Sequence, residues 1–299
     1  MLAAILVKTV VYGSVYALAA IGFSLIFGVA RVINLAQAAF SVLAAYILYG
    51  LVSPVIGVQL ALAPALIISV GGAILLGIFM YKFCVDPVRE HHGAVLLITV
   101  AFAMLIEQGL SMRFWSDPAS VDSFVQGSST IFGVGVLNHY LLILGVTVAL
   151  VTALQLFLSK TRMGIAVRAV ANDTEVASLM GISPAKVLMI TIVIAAALAG
   201  VSGVLIAPLG YFSSPHKWGS LLMLLMVIVV IGGLGSIKGS IIGALIVAFV
   251  EELCIYDPLK LFGYGAAYLL NGFVMLAMVI VLVVRPAGLF GTLFEEEKL

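Results

Sequence analysis

The run "VLMITIVIAAALAGVSGVLIA" (residues 187–207) continues for 21 residues without a charge. At 1.5 Å per residue a helix of that length covers about 30 Å, the thickness of a bilayer's hydrocarbon core. Comparable runs recur along the chain between brief polar breaks. Backbone inside lipid must satisfy its own hydrogen bonds, and these runs do not alternate strictly between apolar and polar residues, so helices are expected and a barrel is not. The composition follows from this: 64% of residues are apolar, 9% are charged, and the mean hydropathy is +1.31. The expected fold class is all-α, a polytopic membrane bundle of about eight to ten transmembrane helices.

Nine spans are placed near residues 5–28, 33–50, 60–80, 94–112, 139–158, 187–207, 219–235, 240–256 and 267–284. The first of these lacks a basic leader and a small-residue cleavage site and reads as a retained span. The seventh and eighth are separated only by "GSIKGS" (235–240) and could equally form a broken or re-entrant pair, because glycine-interrupted backbone is tolerated where it faces protein or water. One transmembrane domain over residues 1–299, with a charged loop at 159–186, is the expected organisation.

Basic residues orient the bundle. With the 159–186 loop in the cytoplasm, Arg31, Lys82, Arg89, Lys160, Arg162, Arg168, Lys186, Lys238, Arg285 and Lys298 lie inside, whereas Lys8, Arg113, Lys217 and Lys260 lie outside. The polar segment 113–140 is then external, with Trp115, His139 and Tyr140 suited to the membrane interface. The net charge of +1 is spread over segment ends with no basic patch, which argues against a nucleic-acid partner. Cys84 and Cys254 lie far apart, with neither disulfide nor metal-ligand spacing, so no metal site is expected.

The charged loop is the most informative polar stretch. In "TRMGIAVRAVANDTEVASLMGISPAKV" (161–187), Asn172 and Asp173 are good helix N-caps, Gly181 suits the residue just past a helix C-terminus, and Ser183 with Pro184 starts the next helix. Between them Val176, Leu179 and Met180 make an apolar face, with Asp173 and Glu175 at the positive end of the helix dipole. So short a surface helix needs a docking partner. An ordinary loop obeying the positive-inside rule is the competing reading.

"EVASLMG" (175–181) resembles the Glu-Ala-Ala loop, with its following glycine, of ABC importer permeases; Val176 replaces the first alanine and Ala177 keeps the second. "TRMGIAVRAV" (161–170), "GVARVINLAQAAF" (28–40) and "RPAGLFG" (285–291) are similar to segments of the hydrophobic amino acid uptake permeases, of the shorter branched-chain type. The resemblance implies an importer subunit in a bacterial or archaeal inner membrane. It also implies a second related permease, two cytoplasmic ABC ATPases carrying ATP and magnesium, an external binding protein, and a lipid surround. Arg162, Arg168, Asp173, Glu175, Ala177 and Gly181 would couple to the ATPase. The chain departs from the family's Asn-Phe-Ala-His-Gly at Asn34, Leu35, Ala36, Gln37 and Ala38. The family's solutes range over branched-chain amino acids, urea, amides and carboxylates.

The chain carries no phosphate loop: "GK" occurs nowhere, and "GSIKGS" lacks the required spacing, so no cofactor is expected here. Asn34, Gln37 and Glu107 are candidate translocation-pathway residues, since polar groups inside a membrane are costly; helix capping and interhelical hydrogen bonding are the competing roles. Glu251 and Glu252 are expected to exit the membrane solvated, beside Asp257 and Lys260. Two other function classes compete. Gly200, Val201, Ser202 and Gly203 match the Gly-x-Ser-Gly of intramembrane serine proteases, against a simple small-residue helix contact. A self-sufficient carrier or channel would need more intramembrane acids or selectivity rings than this chain supplies. Residues 26–46 and 231–249 share a glycine-bearing break, one basic residue and a small-residue helix, as in permeases built from two related halves.

Overall fold

The computed structural model describes residues 2–53, 60–89, 91–114, 121–131, 134–212, 214–256, 266–285 and 287–291. Each expected span contains a helix. The helices are α1 (Leu2–Ala30), α2 (Gln37–Val52), α3 (Leu62–Phe79), α4 (His92–Phe114), α5 (Asn138–Lys160), α6 (Arg162–Asn172), α7 (Thr174–Leu179), α8 (Pro184–Ile206), α9 (Lys217–Gly232), α10 (Ile237–Tyr256) and α11 (Ala266–Val284). The fold class is all-α. The 113–140 segment adds a short antiparallel hairpin, β1 (Ser128–Ile131) with β2 (Val134–Leu137), registered from Ser128 opposite Leu137 to Ile131 opposite Val134. Asn138 closes it by accepting from Ser129 Oγ at 2.7 Å and donating to the carbonyl of Gln126 at 3.2 Å. Trp115, Asp257, Lys260 and Lys298 lie outside the described residues.

Central and peripheral helices differ in exposure. The most apolar stretches of α1 and α8 are 78% and 67% buried, against 22% for both α3 and α5. Large apolar side chains on the outer helices, such as Ile67, Leu97 and Val148, face outward, as lipid-facing positions should. Lipid removes the hydrophobic driving force between helices, so close approach rests on small residues and interhelical hydrogen bonds. A Cβ placed on Gly203 of α8 would lie 1.9 Å from the Ser41 carbonyl oxygen of α2, and one on Gly22 of α1 would lie 3.0 Å from the Ala195 carbonyl oxygen of α8. Ser41 and Ser202 share a hydrogen bond of 3.1 Å across the same contact.

Residues 217–256 form two separate antiparallel helices. A Cβ on Gly232 would meet the backbone carbonyl of Gly239 at 2.3 Å, and one on Gly243 would meet the Ile228 oxygen at 2.4 Å, so α9 and α10 touch backbone to backbone. Both α2 and α9 have only 16 residues, about 24 Å of helix, and each lies beside a non-helical break. The two breaks meet: a Cβ on Gly28, at the end of α1, would sit 3.4 Å from Gly235 Cα. The segments that looked like weak sequence repeats therefore face one another.

One of the basic residues assigned to the inside, Arg31, lies at the same end of the bundle as the 159–186 loop. The Arg31 guanidinium donates to the Asn172 carbonyl at 3.4 Å, joining the α1–α2 break to the 159–186 loop. Glu107 of α4 pairs with His216 and Trp218 at the other end of the bundle. A cysteine at Ser128 is expected to react with an impermeant thiol reagent in intact cells, and one at Thr174 only after permeabilisation. The reverse labelling pattern would invert the orientation.

Several polar residues sit elsewhere than expected. His139 is fully buried rather than interfacial, with Nε2 3.0 Å from the Leu205 carbonyl oxygen. Glu252 is buried and Glu251 accepts a 2.9 Å hydrogen bond from the Tyr16 hydroxyl, so neither exits into solvent. The reason is that α10 packs along α1, which supplies the tyrosine.

Candidate functional site

The loop after α5 folds as two helices. Thr161 ends α5 and caps α6: its hydroxyl donates to the Phe157 carbonyl at 2.7 Å and accepts from Gly164 N at 3.0 Å. Gly164 lets α6 fold back onto α5, since a Cβ there would lie 2.2 Å from the Phe157 oxygen. Gly164, Val167 and Val170 are buried at helical spacing, leaving Arg162, Ile165 and Arg168 exposed on the opposite face. The sequence reading missed Thr161 and Gly164, whose shared function rests on the backbone geometry.

The next helix, α7, is held at both ends. Asp173 Oδ1 accepts from Glu175 N and Val176 N, each at 2.9 Å, which satisfies two of the orphan amides of the first turn. At the other end Gly181 has φ +82°, Gly181 N donates to the Ser178 carbonyl at 3.0 Å, and Ile182 N donates to the Ala177 carbonyl at 3.1 Å. This is a glycine-terminated helix end whose closing bonds fix the direction of the chain into α8. A Cβ on Gly181 would meet nothing within 4 Å, so the constraint there is conformational and not steric. Ala177 is buried against the bundle, while Val176, Leu179 and Met180 point outward, Leu179 at 85% exposure. Three large apolar side chains on a rigidly capped helix outside the membrane-spanning segments form a surface that water does not favour.

Arg31 connects this loop to the bundle. It ends α1 with φ +52°, an uncommon conformation for a side-chain-bearing residue. Its bond to the Asn172 carbonyl reaches the end of α6, directly before the Asp173 cap. The sequence showed Arg31 only as a positive-inside residue; nothing in it signals a left-handed backbone.

The candidate pathway residues are not brought together. Asn34 Oδ1 accepts from Ala36 N at 3.1 Å, fixing the turn that leads into α2, and Asn34 also lines a cavity of about 270 Å³ beside α7. Gln37 is fully buried, and its Nε2 donates to the Ala195 carbonyl at 2.9 Å, bridging α2 to α8 away from that cavity. Glu107 lies at the opposite end of the bundle with His216 and Trp218, a pairing of residues 109 and 111 positions apart that local sequence cannot show.

Ser202 has no catalytic partner among the described residues. Its hydroxyl donates to the Ala199 carbonyl at 2.8 Å, its neighbour is Ser41, and His216 is engaged with Glu107. The Gly-x-Ser-Gly element is a helix contact.

The "RPAGLFG" segment has a structural use. Leu289 N and Phe290 N donate to the carbonyls of Ile231 and Gly232 at 2.8 and 2.9 Å, satisfying the open C-terminal end of α9.

Comparison with known proteins places this arrangement. Residues 5–283 match the family described as branched-chain amino acid transport system / permease component. The chain is 30% identical over 298 residues to the high-affinity branched-chain amino acid transport system permease protein LivH of Salmonella typhimurium, covering 94% of this chain and 93% of that protein. It is 27% identical to BraD of Pseudomonas aeruginosa, covering 96% and 94%, and 26% identical to a LivH of Methanocaldococcus jannaschii, covering 98% and 94%. Among solved structures it resembles a chain of PsaBC from Streptococcus pneumoniae in complex with Fab, with TM-score 0.52 and 10% identity, covering 95% of this chain and 92% of that one. It also resembles a metal-chelate type ABC transporter in an inward-facing conformation, with TM-score 0.50 and 14% identity, covering 92% and 84%. At these identities the two structures speak for the fold alone. With a family match over nearly its whole length and a bundle of apolar spans, the chain is a multi-pass membrane protein that belongs to the branched-chain amino acid transport permease family.

Proposed function

We propose that the chain is the membrane-spanning subunit of an ABC importer for branched-chain or related hydrophobic amino acids, or for small carboxylates or amides. It works in a bacterial or archaeal inner membrane with a second related permease, two cytoplasmic ATPases that carry ATP and magnesium, and an external binding protein. The outward apolar face of α7, with both ends of the helix fixed, is the observation that carries this reading. A two-turn helix so braced transmits displacement instead of absorbing it, and Arg31 passes that displacement to the α1–α2 break. Arg162 and Arg168, exposed on α6, flank the same docking region and present charge to an acidic rim on the partner.

The test is proximity. A cysteine at Ser178, exposed on α7, is expected to crosslink to the ATPase subunit in membranes, in a yield that changes when ATP is added. Absence of any crosslink, while the complex still imports solute, would remove α7 from the coupling role.

Solute choice is expected to lie mainly with the external binding protein, because the spans offer few polar groups. Gln37→Ala removes one interhelical hydrogen bond of about 0.6 kcal/mol and is expected to change the uptake rate several-fold at most. With a fixed binding protein the order of preference among competing solutes should stay the same. A reordered preference would place selection in the membrane subunit.

A further inference from the structure

The cavity of about 270 Å³ lies between the end of α1, the α3–α4 connection, the start of α8 and the first residue of α7. Its walls are apolar, including Ile26, Met80, Val95 and Ile192. Five polar residues join them: Asn34, Tyr81, Arg89, Thr99 and Thr174, the last with its hydroxyl donating to the Val170 carbonyl. Asn34 is 6% exposed, and with Oδ1 used on Ala36 N its Nδ2 finds no partner among the described residues. Tyr81 is 3% exposed; its hydroxyl has no close hydrogen bond among the described residues, and the Asp86 carboxylate and Arg89 guanidinium both stand near enough to interact with it by charge and by longer hydrogen bonds. Arg89 stands at the rim, half exposed, in a long 3.4 Å contact with Asp86. Thr99, the other polar lining residue near Asn34, is already satisfied: its hydroxyl donates to the Leu96 carbonyl and accepts from Leu35 N.

A buried donor left unpaired, as Asn34 Nδ2 is among the described residues, costs about 1–3 kcal/mol, which a ligand's acceptor would recover. An apolar cavity with buried donors in its wall and a guanidinium at its rim suits an aliphatic body with an anionic head. Its position adds a consequence. Met80–Val85 forms a π-helical turn that aims Tyr81 inward, and Thr174 brings the first residue of α7 into the wall. Anything filling the cavity touches the α1–α2 break, the α3–α4 connection and the coupling helix at once.

We propose that this cavity binds a small aliphatic carboxylate from the cytoplasmic side, and that occupancy slows transport by holding α7 against the end of α1. The cytoplasmic placement and the link to the transported solute rest on the importer reading above. The donors Asn34 Nδ2, Tyr81 Oη and Arg89 take the carboxylate, and the apolar wall takes the branched chain.

The experiment uses the complete transporter in nanodiscs without its binding protein. Radiolabelled L-leucine and 3-methylbutanoate serve as separate probes of equilibrium binding. Wild type is expected to bind at least one probe, Arg89→Gln to bind it about tenfold more weakly, and Arg89→Lys to recover most of the loss because the charge remains. Val95→Phe, which fills the cavity, is expected to abolish binding. In proteoliposomes, loading the bound probe into the compartment facing α7 should slow uptake by wild type and leave the rate of Arg89→Gln unaffected by loading.

Failure of both probes to bind wild type, or equal binding by Arg89→Gln, would overturn the proposal. So would a co-purifying phospholipid found in the cavity by native mass spectrometry and not displaced by either probe. Import of leucine with no probe binding removes this site alone. Binding of 3-methylbutanoate through Arg89, without import of leucine, keeps the site and removes the solute assignment.

Discussion

Gly181→Trp is expected to leave the protein inserted and folded but to cut binding-protein-stimulated ATP hydrolysis by about tenfold or more. At φ +82° a side-chain-bearing residue pays about 1–2 kcal/mol, and the helix end can relieve that strain only by giving up the Gly181 N and Ile182 N bonds that aim α7. A cost of ~1.4 kcal/mol already corresponds to tenfold in a rate. Gly181→Asn, which tolerates the left-handed region better, should retain most of the activity. Glu175→Lys acts on the same helix by placing a cation at the positive dipole end and is expected to reduce coupling in the same assay. If Gly181→Trp hydrolyses ATP and transports at the wild-type rate, α7 is not the coupling element.

Gly203→Val is expected to act earlier and more severely, on assembly of the bundle itself. A Cβ on Gly203 would lie 1.9 Å from the Ser41 oxygen and 2.6 Å from its carbonyl carbon, both backbone atoms that cannot swing aside. The α2–α8 contact must open, the Ser41–Ser202 hydrogen bond stretches, and Gln37 loses its reach to the Ala195 carbonyl. Overpacking of this kind costs about 3 kcal/mol, enough to lower the yield of folded protein in membranes several-fold. Fluorescence-detected size exclusion of the variant should show loss of the monodisperse peak. By contrast Gly145→Val, at an α5 site where a Cβ meets nothing within 4 Å, should behave as wild type.

The contrast between these two glycines shows what could and could not be read from the chain. Apolar run length placed a helix at each expected span, and five of the described helices are long and apolar enough to cross a membrane. The caps of α7 were legible because Asp173 and Gly181 act on their own neighbours within three residues. Gly203 and Gly145 look alike in sequence, and only the backbone of a helix more than 150 residues away tells them apart. The same holds for Glu251, expected in solvent and found bonded to Tyr16 across 235 positions. Glu107 with its His216 partner is another case of a contact no local pattern predicts. Among the candidate site residues, those on α6 and α7 fall on one loop, whereas Asn34, Gln37 and Glu107 are scattered to three places, since "polar within an apolar run" describes a turn before a helix, a helix bridge and a hydrogen-bonded pair equally well.

The central claim is that this chain conducts solute only under the drive of separate ATPases that dock on α7. Its most direct measurement is uptake of radiolabelled leucine into proteoliposomes containing the chain with its second permease, with or without the ATPases, and with the external binding protein supplied outside. Uptake is expected only when the ATPases, enclosed ATP and magnesium, and the loaded binding protein are all present, and to disappear in the Gly181→Trp complex. Leucine uptake by the membrane chains alone, undiminished without ATP, would identify a self-sufficient carrier and contradict the account.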